Sequence, residues 1–158
     1  MRRLVLILTA LAAAALLAPS AASALIQVDR GIAGARLNNT KAQVRTALGN
    51  PNRIRNGNNE FGPFTVFRYA GGIRVTFQSG NRVTAVTTTG RGDRTARNVG
   101  VGSTLSAVMN RAPQLANCIP IPGGRLCQTG AGLPGERLTA FFLRNGRVTR
   151  VVVAFVID

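Results

Sequence analysis

Few side chains in this sequence could catalyse a reaction. The acidic residues occur one at a time, as Asp29, Glu60, Asp93, Glu136 and Asp158, and there is no histidine among the 158 residues. The chain therefore has no imidazole base and no imidazole metal ligand, and two cysteines alone cannot form a tetrahedral zinc site. Glycosidase chemistry needs two carboxylates held close together. Glu60 and Glu136 both precede predicted β-hairpins and could face each other, but the excess of arginine favours ion pairs instead. We expect no catalytic residue, no metal and no cofactor, and a protein that is not an enzyme.

The two cysteines, Cys118 and Cys127, can pair only with each other within the chain. In an oxidising compartment such a pair normally forms a disulfide. The alternative is two buried free thiols. A redox-active pair is disfavoured because the spacing is not C-x-x-C and only Arg125 lies near enough in sequence to lower a thiol pKa.

Arginine is the most unusual feature of the composition. Lysine and arginine total 20 against 5 acidic residues, which gives a formal net charge of +15. Arg91, Arg94 and Arg97 cluster in the middle of the chain, where they could attract anionic envelope polymers, lipid head groups or nucleic acid. Nucleic-acid binding is disfavoured because no aromatic side chains are interleaved with the arginines. The excess could also reflect a compositional bias of the source genome.

The first 24 residues have the pattern of a secretory signal peptide. Arg2 and Arg3 precede an apolar run from Leu4 to Ala18, and Ala22-Ser23-Ala24 has the small residues of a cleavage site. The alternative, an uncleaved membrane anchor, is disfavoured because the run is shorter than the roughly 20 residues of a bilayer span. We expect cleavage after Ala24, and a protein that is secreted or lies in the cell envelope.

The rest of the chain repeats itself. Residues 77–86 read FQSGNRVTAV and residues 142–151 read FLRNGRVTRV, an offset of 65. Upstream, Leu37, Thr40 and Val44 match Val101, Thr104 and Val108 at an offset of 64. These matches predict a structural duplication, with a first unit at 25–90, a basic linker at 91–97 and a second unit at 98–158.

Each unit begins with a predicted helix. Thr40 and Gln43 form a capping box, and Gly49 with Pro51 ends the first helix; Ser103 or Thr104 caps the second, which Pro113 ends. Three strands follow each helix, at 64–69, 73–78 and 82–88 in the first unit and at 125–129, 137–143 and 147–156 in the second. The predicted fold is α+β, a tandem duplication of a helix plus a three-stranded antiparallel sheet, with the helices packed on one sheet face.

The Asn145-Gly146 turn predicts the register of the last hairpin. It places Phe142 opposite Thr149, Ala140 opposite Val151 and Leu138 opposite Val153 on the helix-packed face. The other face then combines apolar side chains with arginine, which is a composition typical of interfaces. We predict that Tyr69, Arg74, Phe141 and Arg150 bind a protein through that face. The alternative is that these side chains pack between the two units, under the 130–135 loop, or, for Tyr69, in the core.

The segment LNNTKAQVRTALGNP, from Leu37 to Pro51, followed by strands with a G-x-R-V-T hairpin, resembles the SmpA/OmlA family of envelope domains, which includes BamE. A duplicated unit of this type is also similar to the β-lactamase inhibitor protein fold, in which one curved sheet binds a protein. The resemblance implies a non-enzymatic protein-binding module whose partner is another exported or envelope protein. The lipid-anchoring cysteine of the envelope lipoproteins is absent here.

Overall fold

The computed structural model describes residues 25–115 and 117–157. Residues 1–24, where we predict the signal peptide, lie outside the described part of the chain. Within the described part, no helix is both long enough and apolar enough to cross a membrane.

The chain forms two sheets and two short helices. A four-stranded sheet has the order β3-β2-β1-β8, from β1 (Leu25–Gln27), β2 (Gly31–Ile32), β3 (Ala35–Arg36) and β8 (Arg94–Thr95). An eight-stranded sheet has the order β4-β5-β6-β7-β12-β11-β10-β9. Its strands are β4 (Arg53–Asn59), β5 (Gly62–Arg68), β6 (Arg74–Gln78), β7 (Ala85–Thr88), β9 (Asn117–Ile121), β10 (Gly124–Gln128), β11 (Arg137–Arg144) and β12 (Arg147–Phe155). The helices are α1 (Lys41–Leu48) and α2 (Leu105–Arg111), and 3-10 turns lie at Ala70–Gly72 and Pro113–Leu115.

The predicted fold class is wrong, because the chain is mostly β and each helix is followed by four strands of the large sheet rather than three. The two strands that the sequence did not indicate, β4 and β9, are the edges of the large sheet. Every residue of β4 is exposed or half-buried, and β9 contains Pro120. Edge strands tolerate polar residues and proline, so neither carries the apolar alternation that marks an internal strand. The small sheet was also missed, since three of its four strands have only two residues.

Both helices and the small sheet contribute to one core on the same face of the large sheet. Val44 of α1, Val108 of α2 and Ile32 of β2 are fully buried. They belong to one apolar cluster with the inward side chains of the large sheet, which include Phe67, Val75, Phe77, Val86, Phe141, Val151 and Val153. Antiparallel pairing of β7 with β12 joins the two halves into one continuous sheet. Neither of the two described helices packs on the opposite face of that sheet, which we call the helix-free face.

The two helices start in the same way. Thr40 accepts a hydrogen bond from the backbone N–H of Gln43, with the predicted capping box formed, and Thr104 accepts one from Ala107. The Arg82 side chain donates to the carbonyl of Asn38 at 3.0 Å, and the Arg147 side chain donates to the carbonyl of Gly102 at 3.1 Å. The two sets of contacts are thus built from positions 64 or 65 apart in the chain.

The predicted register of the last hairpin is wrong by one residue along β11. Phe142 lies opposite Arg150, Ala140 opposite Val152 and Leu138 opposite Ala154, because the register shifts between Phe142 and Leu143. Such a β-bulge places two residues of one strand against one of the other, and the side chains beyond it change face. In the first half, the pairing of β6 with β7 has no such shift, and Val75 lies opposite Val86.

Candidate protein-binding face

The helix-free face of the large sheet combines apolar side chains with arginine. The pairing registers place directly opposite residues on the same face. Its apolar members are half-buried for the most part, and Ala140 is buried. The apolar positions are Phe64, Val66, Ala85, Val152, Ala154, Leu138, Ala140, Phe142, Leu126, Ile119 and Ile121, and the arginines are Arg53, Arg55, Arg68, Arg74 and Arg150. No described strand residue on this face is acidic.

Phe142 and Arg150 form the best-defined contact on this face. The guanidinium carbon of Arg150 lies 3.9 Å from the centroid of the Phe142 ring, within the range of a cation–π interaction. Both residues line a cavity of about 420 Å³ together with Thr149, Ile121 and Arg144. The base of this cavity is apolar and its edge is cationic. It therefore suits an apolar partner side chain that has an acidic residue next to it.

The structure separates the four residues that we predicted to bind a protein. Arg74 and Arg150 are exposed on the helix-free face. Phe141 is fully buried in the core, because it alternates along β11 with the buried Thr139 and Leu143, and Phe142 lies on the helix-free face. Tyr69 packs against the core cluster, so its side chain belongs to the helix-packed side.

Tyr69 carries a hydroxyl that is buried without a hydrogen-bond partner among the described residues. Burial raises the pKa of this phenol, and the nearby charge of Arg45 partly opposes the shift. The Arg45 guanidinium also lies 4.6 Å from the centroid of Phe67. Tyr69 therefore acts with α1 as part of the packing rather than as an exposed contact.

Two features of this face were not found from the sequence. Phe142 was missed because a bulge leaves no mark in the apolar pattern. Arg53, Arg68 and Arg74 lie directly opposite one another on β4, β5 and β6. A two-residue Gly71-Gly72 turn would place Arg74 opposite Tyr69, whereas the longer connection through Ala70–Gly72 places Arg74 opposite Arg68. Arg53 could not be placed without the polar edge strand.

Hydrogen bonds hold three of the described carboxylates away from this face. Asp29 accepts from the hydroxyls of Thr129 at 2.6 Å and Thr139 at 2.8 Å. Asp93 accepts from Thr88, and Glu136 accepts from backbone N–H groups of the 131–133 loop. These hydrogen bonds stabilise the small sheet and two loops.

Glu60 and Glu136 do not form a catalytic pair. Glu60 lies in the turn between β4 and β5, whereas Glu136 precedes β11. Four strand spacings separate β5 from β11 in the sheet order, which is about 19 Å. In the described ranges, no group of three or more His, Cys, Asp or Glu residues could hold a metal ion.

The three arginines of the predicted linker do not form one site. Arg94 lies in β8, and its guanidinium donates to the carbonyl of Val101 at 2.6 Å. Arg97 lines a small cavity beside β1. Arg91 lines a different groove, of about 400 Å³, with Arg144 and Arg147.

The predicted disulfide between Cys118 and Cys127 is confirmed, with the two residues opposite each other on β9 and β10. It ties the edge strand β9 to the sheet. Disulfides persist in oxidising compartments, so this one is consistent with an exported protein.

Comparisons with known proteins support the fold but no family. No family model and no curated protein matches the sequence, and the resemblance to SmpA/OmlA is unconfirmed. Among solved structures, a DUF4309 family protein (YjgB) from Bacillus subtilis is 17% identical, with a TM-score of 0.51 over 77% of this chain and 82% of that one. An extracellular protein containing an SCP domain from Bacillus anthracis is 10% identical, with a TM-score of 0.50 over 75% of this chain and 44% of that one.

A third similar solved structure is of a protein related by name to the second resemblance. It is described as a "putative beta-lactamase inhibitor protein" from Streptococcus mutans. It is 10% identical, with a TM-score of 0.34 over 74% of this chain and 83% of that one. At this TM-score the similarity carries no argument about function, and the first two structures support the fold alone.

Proposed function

We propose that the protein is an exported, non-enzymatic module that binds another exported or envelope protein through the helix-free face of its large sheet. The observation that carries this proposal is the composition of that face, where half-buried apolar side chains lie among arginines and no strand residue is acidic. A sheet normally buries an apolar face against another element. Among the described residues, no such element covers the helix-free face, and an interacting protein would supply one.

The centre of the proposed contact is the second half of the sheet. Phe142 under Arg150, with Leu126, Val152 and Ile119 on neighbouring positions, forms a continuous apolar area rimmed by charge. Aromatic and arginine side chains in such settings contribute most of the binding energy at protein interfaces.

The duplication and the export of the chain belong to the same proposal. The matching contacts of Arg82 and Arg147 support two units, at 25–90 and 98–158, with residues 91–97 between them. The disulfide and the sequence of residues 1–24 support secretion or an envelope location.

A second candidate function is electrostatic binding of anionic envelope polymers or lipid head groups. The groove that brings Arg91 together with Arg144 and Arg147 favours it. Arg144 lies directly opposite Arg147 across the hairpin, and two like charges in that position repel each other. A bound anion would relieve that repulsion. Such binding would weaken steeply as salt is raised, because it depends on screened charge attraction.

The two functions are tested by affinity capture from the extracellular and envelope fraction of the source organism. The immobilised wild-type protein should retain one protein through a high-salt wash. Phe142→Ala should lose it, whereas Phe61→Ala, which shortens an exposed phenylalanine in the β4–β5 turn, should keep it. Retention by Phe142→Ala would contradict the proposed face. A salt-labile mixture of acidic polymers, lost when Arg91 and Arg144 become Glu, would favour the second candidate.

A further inference from the structure

Three arginines form a row across the first half of the helix-free face. Arg53 on β4 pairs with Arg68 on β5, and Arg68 pairs with Arg74 on β6. Neighbouring strands lie about 4.8 Å apart, so three guanidinium groups start from adjacent positions on one face. We call these residues the arginine row.

The arginine row has no counter-charge in the described structure. Like charges directly opposite each other on neighbouring strands are destabilising, and here two such pairs share the central residue. Arg68 is half-buried, and its Nε has no hydrogen-bond partner among the described residues. A buried donor without a partner costs stability and needs an explanation. The row is therefore more favourable with bound anionic oxygens than without them.

We propose that the arginine row binds the carboxylates of an acidic protein segment, one bridging each neighbouring pair of guanidinium groups. This inference rests on the proposed function, since it gives the chemistry of the partner at the same face. Guanidinium groups bind carboxylates through paired, charge-assisted hydrogen bonds.

The side chains around the row favour a protein over an anionic polymer. Val66 neighbours the row on β5, and Phe64, with Arg55 over its ring at 5.9 Å, lies further along the same strand. An anionic polymer gains nothing from these apolar groups. An extended segment that alternates acidic and apolar residues would contact both, and each apolar group removed from water adds to its affinity.

The test uses a short synthetic peptide in which Glu alternates with Leu and Ser, compared with the same peptide carrying Gln and with polyphosphate. Wild-type protein should bind the Glu peptide and not the Gln peptide. Replacing the exposed Arg53 and Arg74 by Gln should weaken binding about 10-fold or more, through the loss of charge-assisted hydrogen bonds. Arg30→Glu, in an exposed turn of the small sheet, should not change it.

Thermal unfolding separates recognition from a structural role. The Arg53→Gln and Arg74→Gln double variant should unfold at the same temperature as the wild type or higher, because it removes repulsion. Arg68→Met should unfold at a higher temperature, since it also removes the unpartnered Nε. A lower unfolding temperature with unchanged peptide affinity would overturn the inference.

Two further outcomes also decide against the arginine row. Equal binding of the Glu and Gln peptides, or tighter binding of polyphosphate lost in the same double variant, would overturn an acidic protein segment as the ligand. Capture of a host partner that is lost with Phe142→Ala but unchanged in the double variant would leave the proposed function standing and remove this inference. Capture of no partner by the wild type would count against the proposed function itself.

Discussion

Adjacent phenylalanines on β11 provide a direct test of the bulge and of the face assignment. Phe141 is fully buried, whereas Phe142 is half-buried on the helix-free face. Truncating a buried phenylalanine to alanine costs about 3–5 kcal/mol, from lost transfer energy and the cavity left behind. Phe141→Ala should therefore lower the free energy of unfolding by about that amount.

Phe142→Ala should cost far less stability. Its ring keeps part of its contact with water and lies under the Arg150 side chain, so about 1–1.5 kcal/mol is lost, less than for full burial. For a chain of this length each kcal/mol corresponds to about 4 °C in the unfolding midpoint. The midpoint should fall by about 12–20 °C for Phe141→Ala and by about 4–6 °C for Phe142→Ala.

Circular dichroism during heating and urea unfolding measure the two effects, with Phe61→Ala as the control for an exposed phenylalanine. In the affinity capture the two variants should rank in the opposite order. Phe142→Ala should lose the host partner, whereas folded Phe141→Ala should keep it. A larger loss of stability for Phe142→Ala than for Phe141→Ala would refute the bulge. Such a result would support the register with Phe142 opposite Thr149. Phe142 would then lie on the helix-packed face and could not form the proposed contact.

Three further predictions concern stability. Replacing Cys118 and Cys127 by serine should lower the free energy of unfolding in urea by about 2–3 kcal/mol, as expected for a loop of this length. An unchanged free energy of unfolding would show that the disulfide does not stabilise the edge strand β9. The single tyrosine, Tyr69, should ionise above pH 10 by absorbance at 295 nm, because burial raises its pKa. Its raised pKa contributes stability that is present below pH 10 and lost as pH rises through the folded-state value, and Tyr69→Phe should remove that loss. Asp29 has a φ of 56°. Asp29→Ala should cost about 2 kcal/mol, because it removes the acceptor of the hydrogen bonds that Thr129 and Thr139 donate. Asp29→Asn should cost less, because asparagine tolerates a positive φ and keeps a side-chain acceptor.

Local signals in the sequence were sufficient to predict the positions of the helices and of the inner hairpins, but not the register of the last hairpin. Thr40 with Gln43 forms the capping box that its spacing indicates. The Asn145-Gly146 turn connects β11 and β12, and the disulfide joins the predicted cysteines. Each of these features depends on residues close together in the chain, so the sequence pattern records it directly.

Features that depend on distant pairing were not predictable in the same way. The polar strand β4 is stabilised by its hydrogen bonds to β5, and its sequence RIRNGNN carries no burial pattern. The parallel contact between β1 and β8 joins residues far apart in the chain. The bulge near Phe142 places an extra residue, Thr149, in β12 and shifts its pairing with β11 by one residue while leaving the composition of both strands unchanged. Phe141 was therefore selected in place of its neighbour.

Two groups of arginines can be distinguished once the contacts are known. Arg82, Arg94 and Arg147 donate to backbone carbonyls and fix the helix starts and the β8 region. These arginines act as structural hydrogen-bond donors, so their presence has a structural reason whether or not Arg147 also contacts an anion. The arginine row instead carries like charges side by side, and the buried Nε of Arg68 has no hydrogen-bond partner in the part of the chain that the structure describes. A general compositional bias would supply arginines of both kinds, but it gives no physical reason to keep three of them opposite one another. The row, rather than the net charge, is therefore the part of the basic composition that points to a binding partner.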